Sequence, residues 1–321
     1  MCGRTVTELL ERSECVWARV LGSSAGGGFP QWNCNCPNCR GARDGSLACR
    51  RRTQSSIAIS VDYERWFLLN ASPDLGGQIA AFRALWPRNG VRHTPIQAVV
   101  LTDAELDHTL GLVLLREGRY VRVYSTDWVR TALSEWNPLL RTLSAYCTVD
   151  WQRLNVGQRV VLRGPMDEQS GICCEAFSTY TRKPVAFAPE AQPAAESSIG
   201  FRLTDARTGG ALVYLPAVLE LNAAIREHVR AAACLFIDGT CWDNDELVRL
   251  GCGGKSARAM GHLPIGGSDG SLNQLAELDV ARAIYIHINN TNPILIDDSP
   301  ERQAVEARGV EVAYDGMEVE I

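Results

Sequence analysis

At residues 98–108 the chain passes from a wholly apolar run, Ala98-Val99-Val100-Leu101, into Thr102-Asp103-Ala104-Glu105-Leu106-Asp107-His108. A strand with no polar residue on either side belongs in a sheet covered on both faces. Such a strand holds its own end rigidly, so the side chains just beyond it can be aimed at one point. Asp107 and His108 stand there side by side, and both are metal-ligand types.

Three further groups of this kind occur at strand ends or beside glycine. Asp238 closes Leu235-Phe236-Ile237, His262 lies in Met260-Gly261-His262-Leu263, and His287 ends Ile284-Tyr285-Ile286 and leads into Asn289-Asn290-Thr291-Asn292-Pro293. Of the five histidines, His228 alone reads as an ordinary helix-surface residue. Two histidines and a carboxylate make a facial triad that suits non-haem Fe(II) and dioxygen. The same ligands with a water also suit a mononuclear zinc hydrolase, and ligand type leaves both open.

A second metal-binding pattern is Cys34-Asn35-Cys36-Pro37-Asn38-Cys39. Three thiols in one tight turn supply three corners of tetrahedral zinc, and the proline and asparagines favour the reversal. Cys49 and His93 are candidates for the fourth corner. The other cysteines, Cys252 among them, read as small core residues.

Between these motifs the pattern alternates. Strands are predicted at Val16–Leu21, Ser56–Ser60, Trp66–Asn70, Ala98–Leu101, Val121–Tyr124, Gln158–Leu162, Ile172–Phe177, Ile199–Leu203, Ala211–Tyr214, Cys234–Asp238, Ala283–Ile288 and Val310–Tyr314. Helices are predicted at Leu75–Trp86, Gly111–Glu117, Asp127–Ser134, Leu219–Ala233, Ser271–Glu277 and Glu301–Arg308. Lys183–Ser197, with three prolines, reads as a long loop. Hairpins first, then strands alternating with helices, suggest stacked sheets with helices outside. No boundary divides residues 16–321, and residues 1–15 read as an N-terminal extension. A net charge of −5 with both signs interspersed argues against nucleic-acid binding, no apolar run reaches membrane-spanning length, and no signal core opens the chain. A cytoplasmic location is expected, with no nucleic-acid or membrane partner; a homodimer is left open.

Taken together, these segments resemble the metallo-β-lactamase superfamily, and within it the branch of pyrroloquinoline quinone biosynthesis. The likeness rests on Gly26 through Cys39, Arg52-Thr53-Gln54-Ser55-Ser56, Asn70-Ala71-Ser72-Pro73-Asp74 and Asp107-His108-Thr109. It continues in Asp238-Gly239-Thr240, Met260-Gly261-His262, His287 through Pro293 and Ser299-Pro300-Glu301-Arg302, and covers roughly residues 16–321. It implies an α+β fold, a four-layer αββα sandwich in a single domain, with a structural zinc at Cys34, Cys36 and Cys39. It also implies an active-site iron, Fe(II), held by Asp107, His108 and His287. The implied reaction is hydroxylation of the tyrosine ring of a Glu–Tyr cross-linked, small-molecule amino acid. Hydrolases of the superfamily read His-x-His-x-Asp-His and hold two zinc ions; this chain has Asp103 and Glu105 at the first two histidine positions. Leu215-Pro216-Ala217 stands where hydrolases carry a metal-bridging Asp.

Within that frame Asp103 or Glu105 is a candidate base, since burial beside another carboxylate raises one pKa of the pair. The alternative is that they orient His108. His262 is read as a donor to substrate. Asn290 and Asn292 either position the substrate or shape the turn, and Arg52 is a candidate for its carboxylates by resemblance only. The competing readings are a mononuclear zinc hydrolase of a phosphodiester, peptide or ester, and a non-catalytic carrier of a biosynthetic intermediate.

Overall fold

The computed structural model describes residues 15–180 and 185–321; the greater part of the proposed N-terminal extension, 1–14, and four residues of the long loop, 181–184, lie outside them. Fourteen strands among the described residues form two seven-stranded sheets. The first contains β1 (Trp17–Gly22), β2 (Ser56–Ser60), β3 (Trp66–Leu69), β4 (Ile96–Val100), β5 (Tyr120–Ser125) and β6 (Thr148–Arg153). The second contains β7 (Arg159–Arg163), β8 (Gln169–Ser178), β9 (Ile199–Asp205), β10 (Ala211–Leu215), β11 (Cys234–Asp238), β12 (Ala283–Ile286) and β13 (Glu311–Val312). The last strand, β14 (Glu318–Glu320), returns to the first sheet and pairs with β1.

Both sheets are mixed. The β14-β1-β2-β3 run is antiparallel and β3-β4-β5-β6 is parallel. In the second sheet β7 to β10 are antiparallel and β10 to β13 parallel. Parallel strands need crossovers, and helices supply several of them, which places helices on the outer faces.

Three hydrophobic cores follow from this layering. Between the sheets, Val20, Ile57, Phe67 and Val100 meet Ile172, Phe201, Tyr214 and Phe236. Outside the first sheet, Leu68, Val99 and Leu101 pack on Leu75, Leu112 and Leu133. Outside the second, Val213, Leu235 and Tyr285 pack on Ile225, Leu272 and Val305. From Ala98 on, alternate residues of β4 thus serve two different cores, which is why 98–100 carries no polar side chain, while Gln97 lies at the less buried start of the strand. The αββα expectation holds.

Several element boundaries differ from the sequence reading. The 219–233 helix is only Ala223–Val229, because Asn222 caps its start by accepting from the Ile225 N–H. The 111–117 segment is a 3-10 helix, Leu110–Glu117, preceded by a short α-helix, Leu106–Thr109, that carries Asp107 and His108. The β6 and β14 strands and the helix Leu139–Ser144 were not expected. Strand β6 is half-exposed and polar, so its pattern gives no burial signal.

The Leu106–Thr109 helix is seated by backbone contacts to the loop after β3. Ala71 N–H donates to His108 O at 2.7 Å, and Gly111 N–H donates to Ala71 O at 2.9 Å. A Cβ at Gly111 would fall 2.1 Å from Ser72 O. Backbone cannot yield as a flexible side chain does, so Gly111→Ala should destabilise the protein by about 1–3 kcal/mol. Denaturant unfolding measures this. An unchanged midpoint would mean that the loop gives way without cost.

Candidate metal centres

The parallel strands β4, β11 and β12 all point their C-terminal ends at one place, and the metal-ligand types of the sequence meet there. Asp107 and His108 come from the helix after β4, Asp238 is the last residue of β11, and His287 directly follows β12. His287 has a left-handed backbone, φ 58°. That conformation is unfavourable for a residue with a Cβ and turns the chain sharply out of the strand. Ring centroids of His108 and His287 lie 5.1 Å apart, and those of His262 and His287 5.4 Å.

Each of these three imidazoles is held through Nδ1. His108 Nδ1 lies 2.9 and 2.8 Å from the two Asp103 oxygens, and His262 Nδ1 is 2.7 Å from Asp238 Oδ2. The Thr240 hydroxyl donates to Asp238 Oδ1 at 2.6 Å and sits 2.9 Å from His287 Nδ1, so that Nδ1–H donates to it. With Nδ1–H committed in each ring, Nε2 is the atom left for a metal, at once in a neutral ring and after loss of its second proton in a charged one. This is how carboxylates and hydroxyls orient imidazoles that bind metals.

The arrangement fits a cation. His108 is buried, and its Nε2 has no hydrogen-bond partner among the described residues. His287 Nε2 faces Asp107 Oδ2 at 3.3 Å. In this tautomer no proton lies between those two electron-rich atoms, and a metal ion is what satisfies them. Asp107, His108 and His287 bring their ligand atoms within 4.8 Å of one another. Asp238, His262 and His287 also do so. The Asp238 oxygens, however, are taken by His262, Thr240 and the Val218 N–H. The first set is therefore the better ligand group, and the second is a hydrogen-bonded support for it. Gly26 borders the site; a Cβ there would come within 3.2 Å of Asp107 Oδ2.

The charges are strongly coupled. Burial opposes ionisation of Asp103, but the adjacent His108 more than offsets this and holds the carboxyl below its usual range. The expected rise in Asp103 toward neutrality is thus corrected: both oxygens are spent on His108, and Asp103 is a positioning residue. Burial likewise opposes a charge on His108, yet Asp103 and Asp107 override it and lift the ring to about 9. His287 is lowered by burial.

The sequence-predicted substrate residues are elsewhere. Arg52 is 4% exposed and donates to Ser23 Oγ and Ala313 O, behind the loop that borders the cavity. Asn290 directs Nδ2 at the cysteine turn, and Asn292 donates to Gly239 O and caps the short helix at Pro293–Leu295. Neither asparagine lines the metal cavity; Asn289 does, with Glu105, His262, Ala217 and Lys255. The asparagine run is polar because it braces two sites, which the sequence alone does not distinguish from substrate binding.

The second centre is the cysteine turn. Cys36 caps the helix Pro37–Asp44, and its Sγ accepts from the Cys39 N–H at 3.5 Å. Gln31 N–H points at Cys39 Sγ at 3.4 Å. Asn290 Nδ2 lies 3.2, 3.7 and 3.3 Å from the sulfurs of Cys34, Cys36 and Cys39. The fourth thiol is Cys252, 3.9 Å from Cys34 Sγ and within ligand distance of Cys36 as well. This replaces the expectation of Cys49 or His93. Cys49 pairs with Ile296 in an isolated bridge, and His93 accepts from the Arg88 N–H. Cys252 is exposed, not a core residue. Its distance of more than two hundred residues from the turn hid it, although Gly251-Cys252-Gly253-Gly254 is a glycine-flanked thiol of the kind a tight metal loop uses. Cys34, Cys36 and Cys252 lie within mutual ligand distance, Cys39 adjoins the first two around the Asn290 amide, and N–H donors reach the three sulfurs of the turn, a set that matches tetrahedral zinc.

The two centres give separable expectations. Cys252→Ser should remove metal from the thiol site and lower the melting temperature, while the histidine site stays filled. His287→Ala should empty the histidine site and spare the thiols. Elemental analysis of both variants decides. Metal binding must displace the proton of His108, so affinity at that site should climb with pH and level off near 9. Full metal content in His287→Ala would overturn the ligand assignment.

Comparison with known proteins agrees with this geometry. Residues 65–288 match the model of the Beta-lactamase superfamily domain. "Coenzyme PQQ synthesis protein B" of Azoarcus sp. (strain BH72) is 46% identical over 303 residues, covering 93% of this chain and 98% of that protein. The protein of the same name from Methylococcus capsulatus is 46% identical over 305 residues, covering 94% and 98%. The crystal structure of Zn(2+)-bound PqqB from Methylobacterium extorquens superposes with a TM-score of 0.87 at 38% identity, covering 95% of this chain and all of that one. A diphosphatase of the PhnP family, at 20% identity and a TM-score of 0.64, shares the fold. Two sheets meeting at an Asp-His-His cluster, and relatives matched along nearly their full length, place this chain in the coenzyme PQQ synthesis protein B family of the β-lactamase superfamily.

Proposed function

We propose that this chain acts in coenzyme PQQ synthesis, as its relatives' names state, and that its step is Fe(II)- and dioxygen-dependent hydroxylation of a tyrosine-derived, Glu–Tyr cross-linked amino acid. The observation that carries the reading is the single-metal ligand set. Asp107, His108 and His287 form a two-histidine, one-carboxylate triad, the donor set of non-haem Fe(II) oxygenases. A hydrolytic two-metal centre needs further ligands next to it. Asp103 is committed to His108, and Ala217 lines the cavity without a donor.

Bound iron would supply open coordination positions for dioxygen and electrons to activate it. The protein's own residues do the rest. Asp103 and Thr240 hold the two ligand imidazoles in one tautomer. His262, anchored through Nδ1–H on Asp238, has its Nε2 left to accept a hydrogen bond from substrate, where the sequence reading made it a donor. Glu105 borders the same cavity and is the residue placed to take the phenol or ring proton. The cavity measures about 1030 Å³, enough for a cross-linked dipeptide-sized molecule. Trp128, Phe187 and Met260 supply an apolar wall for the ring. Lys255 is the one Lys or Arg among the described lining residues, and its ammonium suits a substrate carboxylate.

Labelled dioxygen tests the reading. Enzyme loaded with Fe(II), given a reductant and a tyrosine-derived amino acid bearing an extra carboxylate, should consume oxygen and release a catechol carrying the label. Lys255→Ala should raise KM about tenfold with little change in kcat, the loss of one charge-assisted hydrogen bond. Label arriving only from water, or faster turnover by zinc-loaded enzyme without oxygen, would establish the hydrolase reading instead.

A further inference from the structure

Two residues from motifs noted in the sequence take no part in the metal cavity: Arg52, and Arg302 of Ser299-Pro300-Glu301-Arg302. The fold brings them together at a second cavity of about 540 Å³, and no residue lines both cavities.

Arg52 is the unusual residue here. It is 4% exposed, yet among the described residues no carboxylate lies within ion-pair distance of its guanidinium. Its hydrogen bonds go to neutral oxygens, Ser23 Oγ and Ala313 O, both reached by Nη1. Its buried Nε has no acceptor. Burial draws Arg52 down, only partly opposed by Asp315, to about 10, so it remains a cation at neutral pH. A buried charge is costly and proteins normally supply a counter-ion; the nearby Asp315 acts on Arg52 at a distance but gives its oxygens to the backbone and hydroxyls of Ser23 and Thr53.

The cavity wall explains where that counter-ion belongs. Arg50 also borders it and also has no ion-pair partner among the described residues; its guanidinium stacks over the Tyr314 ring at 4.4 Å. The acids of the wall are already taken. Glu311 is held by Arg282 at 2.5 and 2.9 Å, Glu306 by Arg302 at 2.6 Å, and Asp297 has Arg302 at 3.9 Å. Two unspent guanidinium groups thus share one cavity with the apolar side chains of Val312 and Met317.

We infer that this cavity binds a small organic carboxylate, its oxygens received by Arg50 and Arg52 and its hydrocarbon body lying on Val312, Met317 and the Tyr314 edge. Guanidinium matches a carboxylate with two parallel N–H donors, and the apolar floor favours an organic acid over an inorganic anion.

Calorimetric titration of the full-length protein with benzoate, and separately with inorganic phosphate, tests this at constant ionic strength. Benzoate should bind once per chain, and Arg50→Gln should weaken it about tenfold or more. Arg50 is exposed and its guanidinium only stacks on Tyr314, so this variant should fold; Arg52→Lys, which keeps the charge but not the fork, should also weaken binding. Phosphate should bind more weakly than benzoate. Absence of benzoate binding, tighter phosphate binding, or benzoate binding that survives Arg50→Gln and is lost in His287→Ala would each overturn the assignment. The last result would place the acid in the metal cavity. None of these outcomes depends on whether the metal cavity hydroxylates or hydrolyses.

Discussion

Everything at the metal cavity depends on buried acceptors that take the Nδ1 proton of each imidazole. Asp103 does so for His108, Asp238 for His262, and Thr240, itself donating to Asp238, for His287. Burying two carboxylates in a sandwich is expensive unless they are fully hydrogen-bonded. The return is that three rings are locked with their Nε2 lone pairs available. A site built this way can bind a metal without first ordering its ligands, which preserves affinity. It also explains the acid at 103: Asp103 is useful as a hydrogen-bond acceptor and not as a ligand.

The second organising element is the loop 287–293, which joins the two metal centres. Its first residue is the metal ligand His287, Asn289 faces the cavity, and Asn290 bonds to the thiols. Asn38, in the cysteine helix, donates back to Asn290 O and Asn292 O. The thiol cluster also clasps two segments that border the cavity. Cys34 follows the Gly26-Gly27 loop, and Cys252 precedes Lys255, Met260 and His262. A metal held by the thiols therefore fixes cavity walls that are remote in sequence. In that sense the structural centre serves the chemistry without touching it.

The strands that carry the site were legible because their burial on two faces leaves an unbroken apolar run, as in 98–101 and 234–237. The weakest predictions fell where burial is partial: β6, with its polar alternation, and the 3-10 segment 110–117, whose apolar spacing resembles an α-helix. Place at strand ends or beside glycine marked Asp107, His108, Asp238, His262 and His287, the family resemblance chose Asp107, His108 and His287 among them, and the structure brings all five together. Arg52, Asn290 and Asn292 were assigned to substrate from resemblance or polarity, and polarity cannot tell a ligand contact from a brace.

By itself the sequence determined the layered α+β architecture, the strand ends where metal-binding side chains collect, and three of the four thiols. These depend on local pattern: side-chain period, turn residues and close spacing. Only the tertiary structure decided that Cys252 completes the thiol set, that Asp103 serves His108, that Thr240 links Asp238 to His287, and that Arg50 and Arg52 share a separate cavity. Those pairings join residues from different strands and loops, and no local pattern encodes the distance between two segments that the packing of two sheets brings into contact.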